Sequence, residues 1–133
     1  MAHNAPGRKA RPLSPHLQIW RWGPAMFISI MHRATGNALA VGGIVLLLVW
    51  LGALAAGPDV YALFQLIAGS PVGLVVLFGI SLVYFWHLVS GIRHFILDIG
   101  AGFEVKGNNF WSALVPVFAI LLTAAFWAAI LLR

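Results

Sequence analysis

The stretch FWHLVSGIRHFILD, Phe85 to Asp98, holds the residues best suited to chemistry. His87 stands fifteen residues after Val72, the start of a long apolar run. At 1.5 Å per helical residue it lies about 22 Å into a hydrocarbon layer about 30 Å thick. An ionisable side chain at that depth is costly, so it generally faces a bundle interior and has a partner. A histidine bonded to a neighbouring helix would meet that need without a cofactor, but the flanking residues point further. Gly91, at i+4, removes a side chain from the face below the imidazole and would let a flat macrocycle approach the backbone. His94, at i+7, shares that face, and with Arg93 it falls at the cytoplasmic edge of the span. That is where the propionates of an upright haem ligated by His87 would reach. The spacing fits haem b, with His87 on the iron, better than a lone structural histidine. Taken singly, Arg93 and His94 are also what topology and a helix C-terminus attract. Asp98, four residues past His94, either pairs with it or stands solvated.

A second constellation is SIMHRATG, Ser29 to Gly36. Ser29 and Arg33 are four apart and share a helix face, so a hydroxyl and a fixed cation stand side by side at the membrane edge. The pair suits a quinone carbonyl, which gains negative charge on reduction and must then be protonated. A capping serine and a snorkelling arginine are the plainer account. His32, on an adjacent face, could donate to a haem propionate. Trp20, Trp22, Tyr84, Trp86 and Trp111 read as interfacial belt residues, and Trp22 could also wall an apolar ring pocket.

These residues need long membrane helices to position them. Ala34 to Ala56, Val72 to Ile92 and Ala113 to Leu132 each approach or exceed the roughly 20 apolar residues that cross a bilayer. The expected fold is an all-α membrane protein, a single membrane-anchor domain over residues 1–133. An irregular cytoplasmic segment, 1–23, would precede transmembrane helices over about 24–55, 71–98 and 110–132. A helix from Pro24 to about residue 55 exceeds the hydrocarbon thickness, so Ser29, His32 and Arg33 fall in its cytoplasmic overhang. Gly36, Ala40 and Gly43, with Ala38 and Gly42, offer a small-residue strip for close helix packing. DVYALFQLIA, after Gly57 and Pro58, is too short to span and predicts a helix lying on the outer face. AGFEVKGNN predicts a polar turn, with Trp111 opening the third helix and Pro116 early enough in it to be tolerated.

Composition agrees: of 133 residues, 62% are hydrophobic and 8% charged, too few polar groups to cover a soluble globule. The formal charge of +5 records basic residues clustered before the first span, and it gives no reason to expect nucleic acid. By the positive-inside rule the N-terminus is cytoplasmic and the C-terminus periplasmic. MAHNAPGRKARPLSPH has no apolar core of its own and does not read as a signal peptide. With no cysteine, the chain has no thiolate for a disulfide, a metal or an iron–sulfur cluster. His3, His16, His32 and His94 fall outside the membrane or at its edge, so a six-coordinate haem would take its second axial ligand from another chain.

RPLSPHLQIW, SIMHRATG and HLVSGIRHFILD, at these separations, resemble the cytochrome b subunit of succinate dehydrogenase, whose members share RP-S-PH-L, S-I-HR-TG and H-x-x-x-G-x-R-H-x-x-x-D. The resemblance covers nearly the whole chain. It implies a three-helix anchor forming half of a two-subunit haem-binding bundle with a second hydrophobic anchor subunit. It also implies a flavoprotein carrying FAD and an iron–sulfur subunit carrying the clusters, docked on the cytoplasmic side in a bacterial inner membrane. By position, His87 matches the haem b ligand, Ser29 and Arg33 the ubiquinone-binding pair, and His32 a propionate neighbour; Arg93 and His94 match the motif. The resemblance implies that electrons from succinate reach ubiquinone here, with succinate oxidised in a partner subunit. A fumarate-reducing enzyme of the same architecture is the near alternative. A haem-free structural anchor or small pore is the alternative from another class, and buried His87 argues against it.

Overall fold

The computed structural model describes residues 21–132, and every described element is helical. Helix α1 runs Pro24–Ala55, α2 Pro58–Ala68, α3 Pro71–Asp98 and α4 Val105–Leu131. Helices α1, α3 and α4 are long and apolar enough to cross a membrane. The short helix expected after Pro58 is present as α2. The RPLSPHLQIW motif and Trp20 lie outside the described residues.

Local chemistry explains most boundaries. Pro24, Pro58 and Pro71 each occupy the first turn of a helix, where a missing N–H is harmless. The Ser70 hydroxyl caps α3 by accepting from the Gly73 N–H at 3.1 Å. One boundary differs from expectation: α4 begins at Val105, so VKGNN is helix and not turn. The turn closes earlier because Gly100 and Gly102, at φ 84° and 76°, reverse the chain in few residues. Asn108 is then held from two sides. Its Oδ1 accepts from Arg93 Nη2 at 2.5 Å, and its carbonyl accepts from the Ser112 hydroxyl at 2.5 Å. Pro116 consequently sits well inside α4 and not in its opening turns.

The bundle core is narrow and built from small residues. Ile28 and Thr35 of α1, Ser90 of α3, and Ser112, Val115, Ala119 and Thr123 of α4 are buried, while most large aliphatic and aromatic side chains point outward. That inverted pattern suits helices whose exterior solvent is lipid and whose contact depends on backbones approaching closely. The buried hydroxyls bring no unpaired donor, because Thr35, Ser90, Ser112 and Thr123 each donate to a carbonyl four residues back on their own helix.

Helix α1 has two unlike halves. Its first part, Pro24–Ala38, packs on both α3 and α4. At Leu39–Gly43 the helix loosens into a π turn, in which the Ile44 N–H reaches the Leu39 carbonyl five residues back. Beyond it, Ile44–Ala55 packs on α2 while its backbone stands clear of α3 and α4. A cavity of about 380 Å³ between Leu46, Trp50, Phe64 and Leu77 occupies the resulting gap. The small-residue strip of α1 is used unevenly: Gly36 meets His87 of α3, whereas Gly42 has nothing within 4 Å of where its Cβ would be.

Candidate functional site

The first half of α1 and the last three turns of α3 bring three histidines into one stack. The rings of His32 and His87 lie 4.1 Å apart at 5°, and those of His32 and His94 lie 4.5 Å apart at 22°. At 100° per residue, His94 is only about 20° around α3 from His87, so His32 lies against both. The space over Gly91, expected to be open, is filled by this ring: a Cβ there would be 3.6 Å from His32 Cε1.

The hydrogen bonds fix which nitrogen of each ring carries the proton. His87 Nδ1 lies 3.2 Å from the His32 carbonyl, which can only accept, so Nδ1 is the protonated atom. Thr35 Oγ1, also 3.2 Å from that nitrogen, spends its own proton on the Met31 or His32 carbonyl at 2.8 and 3.0 Å and is a second acceptor. His94 Nδ1 donates to the Ser90 carbonyl at 2.7 Å, and not to Asp98. His32 Nδ1 lies 2.8 Å from the Ser90 hydroxyl, whose proton goes to Trp86 or His87 carbonyls at 2.8 and 3.1 Å, so His32 donates here as well. In its neutral form each ring would therefore keep its free lone pair on Nε2. Rings stacked face to face do not converge on a point, and among the described residues no His, Asp and Glu group forms a compact metal-binding cluster. A ligand would meet these imidazoles one at a time.

Arg93 does not join the stack. It lies about 120° around α3 from His87, bonds Asn108 of α4, and has its Nε buried without a hydrogen-bond partner. With Asn108 it borders a cavity of about 510 Å³ walled by Ile92, Ile96, Val115 and Phe118. Ser29 is half-buried and Arg33 exposed, one turn apart on the part of α1 that packs on the bundle. Neither has a hydrogen-bonding or ionic partner among the described residues. Trp22, just before α1, is 64% exposed. Trp86 turns its ring edge-on to Phe27 of α1 at 6.5 Å, with its Nε1 buried and without a hydrogen-bond partner among the described residues.

The sequence reading missed Thr35, Ser90 and Asn108. Thr35 sits between His32 and Gly36 in a motif already singled out, and Ser90 lies three residues past His87. A small hydroxyl on the same face as a buried histidine was the available signal for both. Asn108 gave none, since its partner is fifteen residues back on another helix.

A polar motif that gathers within an apolar three-helix bundle can be compared directly with known membrane subunits. The family model described as succinate dehydrogenase/fumarate reductase transmembrane subunit matches residues 7–126. The chain belongs to this family. It is 42% identical over 99 residues to the succinate dehydrogenase cytochrome b556 subunit of Paracoccus denitrificans, covering 74% of this chain and 75% of that one. It is 38% identical over 117 residues to the cytochrome b556 subunit of Rickettsia felis, covering 88% and 90%. The mitochondrial cytochrome b560 subunit of Sus scrofa is 37% identical over 115 residues, covering 84% and 66%. The family member described here is thus a membrane-anchoring cytochrome b subunit of succinate dehydrogenase. Such a subunit works with partner subunits, and its three apolar helices fit a bacterial membrane protein.

Proposed function

We propose that this subunit binds haem b through His87 and ubiquinone through Ser29 and Arg33, and delivers electrons from succinate oxidation to the quinone pool. The observation that carries this reading is the anchored His87 ring. Its Nδ1–H is tied to the His32 carbonyl, which leaves Nε2 as the lone pair for iron in a helix that crosses the membrane. Haem supplies a one-electron carrier. The chain's part is to hold that ring in one tautomer and to keep bulky side chains away from it, which Gly36 does by lacking a Cβ. His32 lies face to face with His87, so the two rings would not share one iron. A further ligand for the iron would come from the second anchor subunit. His32 and His94, stacked beside the ligand with their Nε2 atoms unused by the bonds described, are the propionate neighbours. Arg93, the third residue of that set, bonds Asn108 through Nη2 and keeps its other donors.

At the quinone, the Ser29 hydroxyl and the Arg33 guanidinium donate to a carbonyl oxygen as it gains charge, which lowers the cost of reduction and holds the oxygen where a proton can reach it. Trp22 walls the ring. Electrons arrive from FAD and the iron–sulfur clusters of the flavoprotein and iron–sulfur subunits, since the chain has no cysteine to hold a cluster. The basic residues before the first span support a cytoplasmic N-terminus, with these partners on the same side and the C-terminus in the periplasm.

The test is a reduced-minus-oxidised spectrum of the purified complex, wild type against His87→Ala. A b-type band that disappears in the variant supports the assignment, and an unchanged band removes it. For the quinone, turnover with ubiquinone is compared with turnover using a soluble dye that takes electrons before the membrane. Arg33→Leu should depress the first and spare the second, and equal loss of both would reveal failed assembly.

A further inference from the structure

We infer that Thr35 and Gly36 are positioning residues that set the donor strength and the aim of the His87 imidazole, an inference that rests on His87 being the haem ligand. Thr35 is buried where α1 meets α3. A threonine inside a helix can satisfy its hydroxyl by donating to its own backbone, and Thr35 does so at 2.8 Å. The hydroxyl nevertheless turns a lone pair across the helix interface, 3.2 Å from His87 Nδ1, beside the His32 carbonyl at the same distance. Nδ1–H thus faces two acceptors and no competing donor. An imidazole whose distal N–H is held by good acceptors is more basic at its metal-binding nitrogen and favours the oxidised metal.

Gly36 acts on direction. A Cβ at this position would lie 3.0 Å from His87 Cε1, 3.6 Å from Nδ1 and 3.8 Å from Nε2. Cε1 is the atom between the two nitrogens, so pushing it turns the Nδ1–H away from its acceptors and swings the Nε2 lone pair together with it. The glycine is the flat seat against which the ring edge rests, and the threonine beside it tunes what the ring donates. The adjacent pair couples aim to strength through one imidazole.

The experiment uses the assembled membrane complex, with haem content, potentiometric titration and electron paramagnetic resonance of the oxidised haem as readouts. Thr35→Val keeps the shape and removes the hydroxyl. It should retain haem and raise its midpoint potential, changing the oxidised-to-reduced ratio at fixed potential about three- to tenfold, or about 30 to 60 mV at 59 mV per tenfold for one electron. Thr35→Ser should restore the wild-type potential. An unchanged potential in Thr35→Val, or a shift in Thr35→Ser as large as in Thr35→Val, overturns the role of the hydroxyl. If Thr35→Val loses the haem, the serine variant decides: wild-type haem and potential support the hydroxyl, and loss in both overturns it in favour of simple packing. Gly36→Ala should shift the principal g-values of the oxidised haem, and a wild-type spectrum overturns its part. His87→Ala, measured alongside, separates the two levels of argument. Haem retained with a wild-type spectrum in His87→Ala removes the ligand assignment itself, whereas a haem-free His87→Ala with a silent Thr35→Val overturns only the positioning.

Discussion

The two halves of α1 differ both in hydrophobic character and in surroundings. Before the π turn, Ser29, His32, Arg33, Thr35 and Gly36 interrupt the apolar sequence, and the helix is drawn against α3 and α4. After it, IVLLLVWLGALA has no polar side chain, and the helix leaves the bundle to rest on α2. In lipid, apolar side chains gain little by packing on one another, because acyl chains solvate them equally well. What draws helices together is close backbone approach and hydrogen bonding across the interface. The polar half has both, in Gly36 under the His87 ring and in the bonds from Thr35 and His32 to α3. The apolar half has neither, and its Leu47, Leu48, Val49 and Leu51 remain outward.

If this contrast is functional, substitutions in the two halves and in their partners on α3 must separate sharply. His87→Ala should have the largest effect, a haem-free complex read from the optical spectrum, because it removes the ring proposed to hold the iron. The stacked His32 ring is tied through Nδ1 to Ser90 and directed by α1 rather than α3. Arg33→Leu comes next. A hydrogen bond from a charged donor is worth about 1.5–3 kcal/mol, roughly ten- to a hundred-fold in rate where it acts in the limiting step. Quinone-linked turnover should fall by that factor with dye-linked turnover intact. Ser29→Ala, assayed the same way, should cost about two- to tenfold, since a neutral hydroxyl contributes less and water can stand in for it.

Smaller still is the effect expected of Asn108→Ala. It deprives Arg93 of its partner and loosens the start of α4, so the complex should lose its haem at a temperature a few degrees lower while turnover at low temperature is unchanged. At the far end of the series, Leu48→Ala in the apolar half should leave spectrum, turnover and thermal stability as they are. A haem or quinone defect from Leu48→Ala, comparable to that from Arg33→Leu, would break the distinction between the halves.

The degree to which this could be read in advance follows the same division. The three spans were legible to within a residue or two at Pro24, Pro71 and Asp98, because a run of apolar residues with proline at its head has one reasonable structure in a bilayer. The start of α4 was not. VKGNN carries a glycine and two asparagines, which favour turns locally, and only Arg93 and Ser112 bonding to Asn108 make it helical. Pairing His87 with His94 on one face required only the helical period. Bringing His32 from α1 between them required knowing how α1 sits against α3, and the same contact closed the space over Gly91.

Residue types, order and spacing by themselves determined that this chain lies in a membrane, that it has three spans, and that its candidate ligands cluster at the ends of two of them. Those properties depend on solvation and on the 3.6-residue period, both of which act within one helix. Tertiary structure alone decided that the three imidazoles stack, that Arg93 turns from them to Asn108, and that Thr35 and Gly36 frame His87. Each of these rests on contacts between residues far apart in the chain, where a few ångströms of helix placement select which hydrogen bond forms.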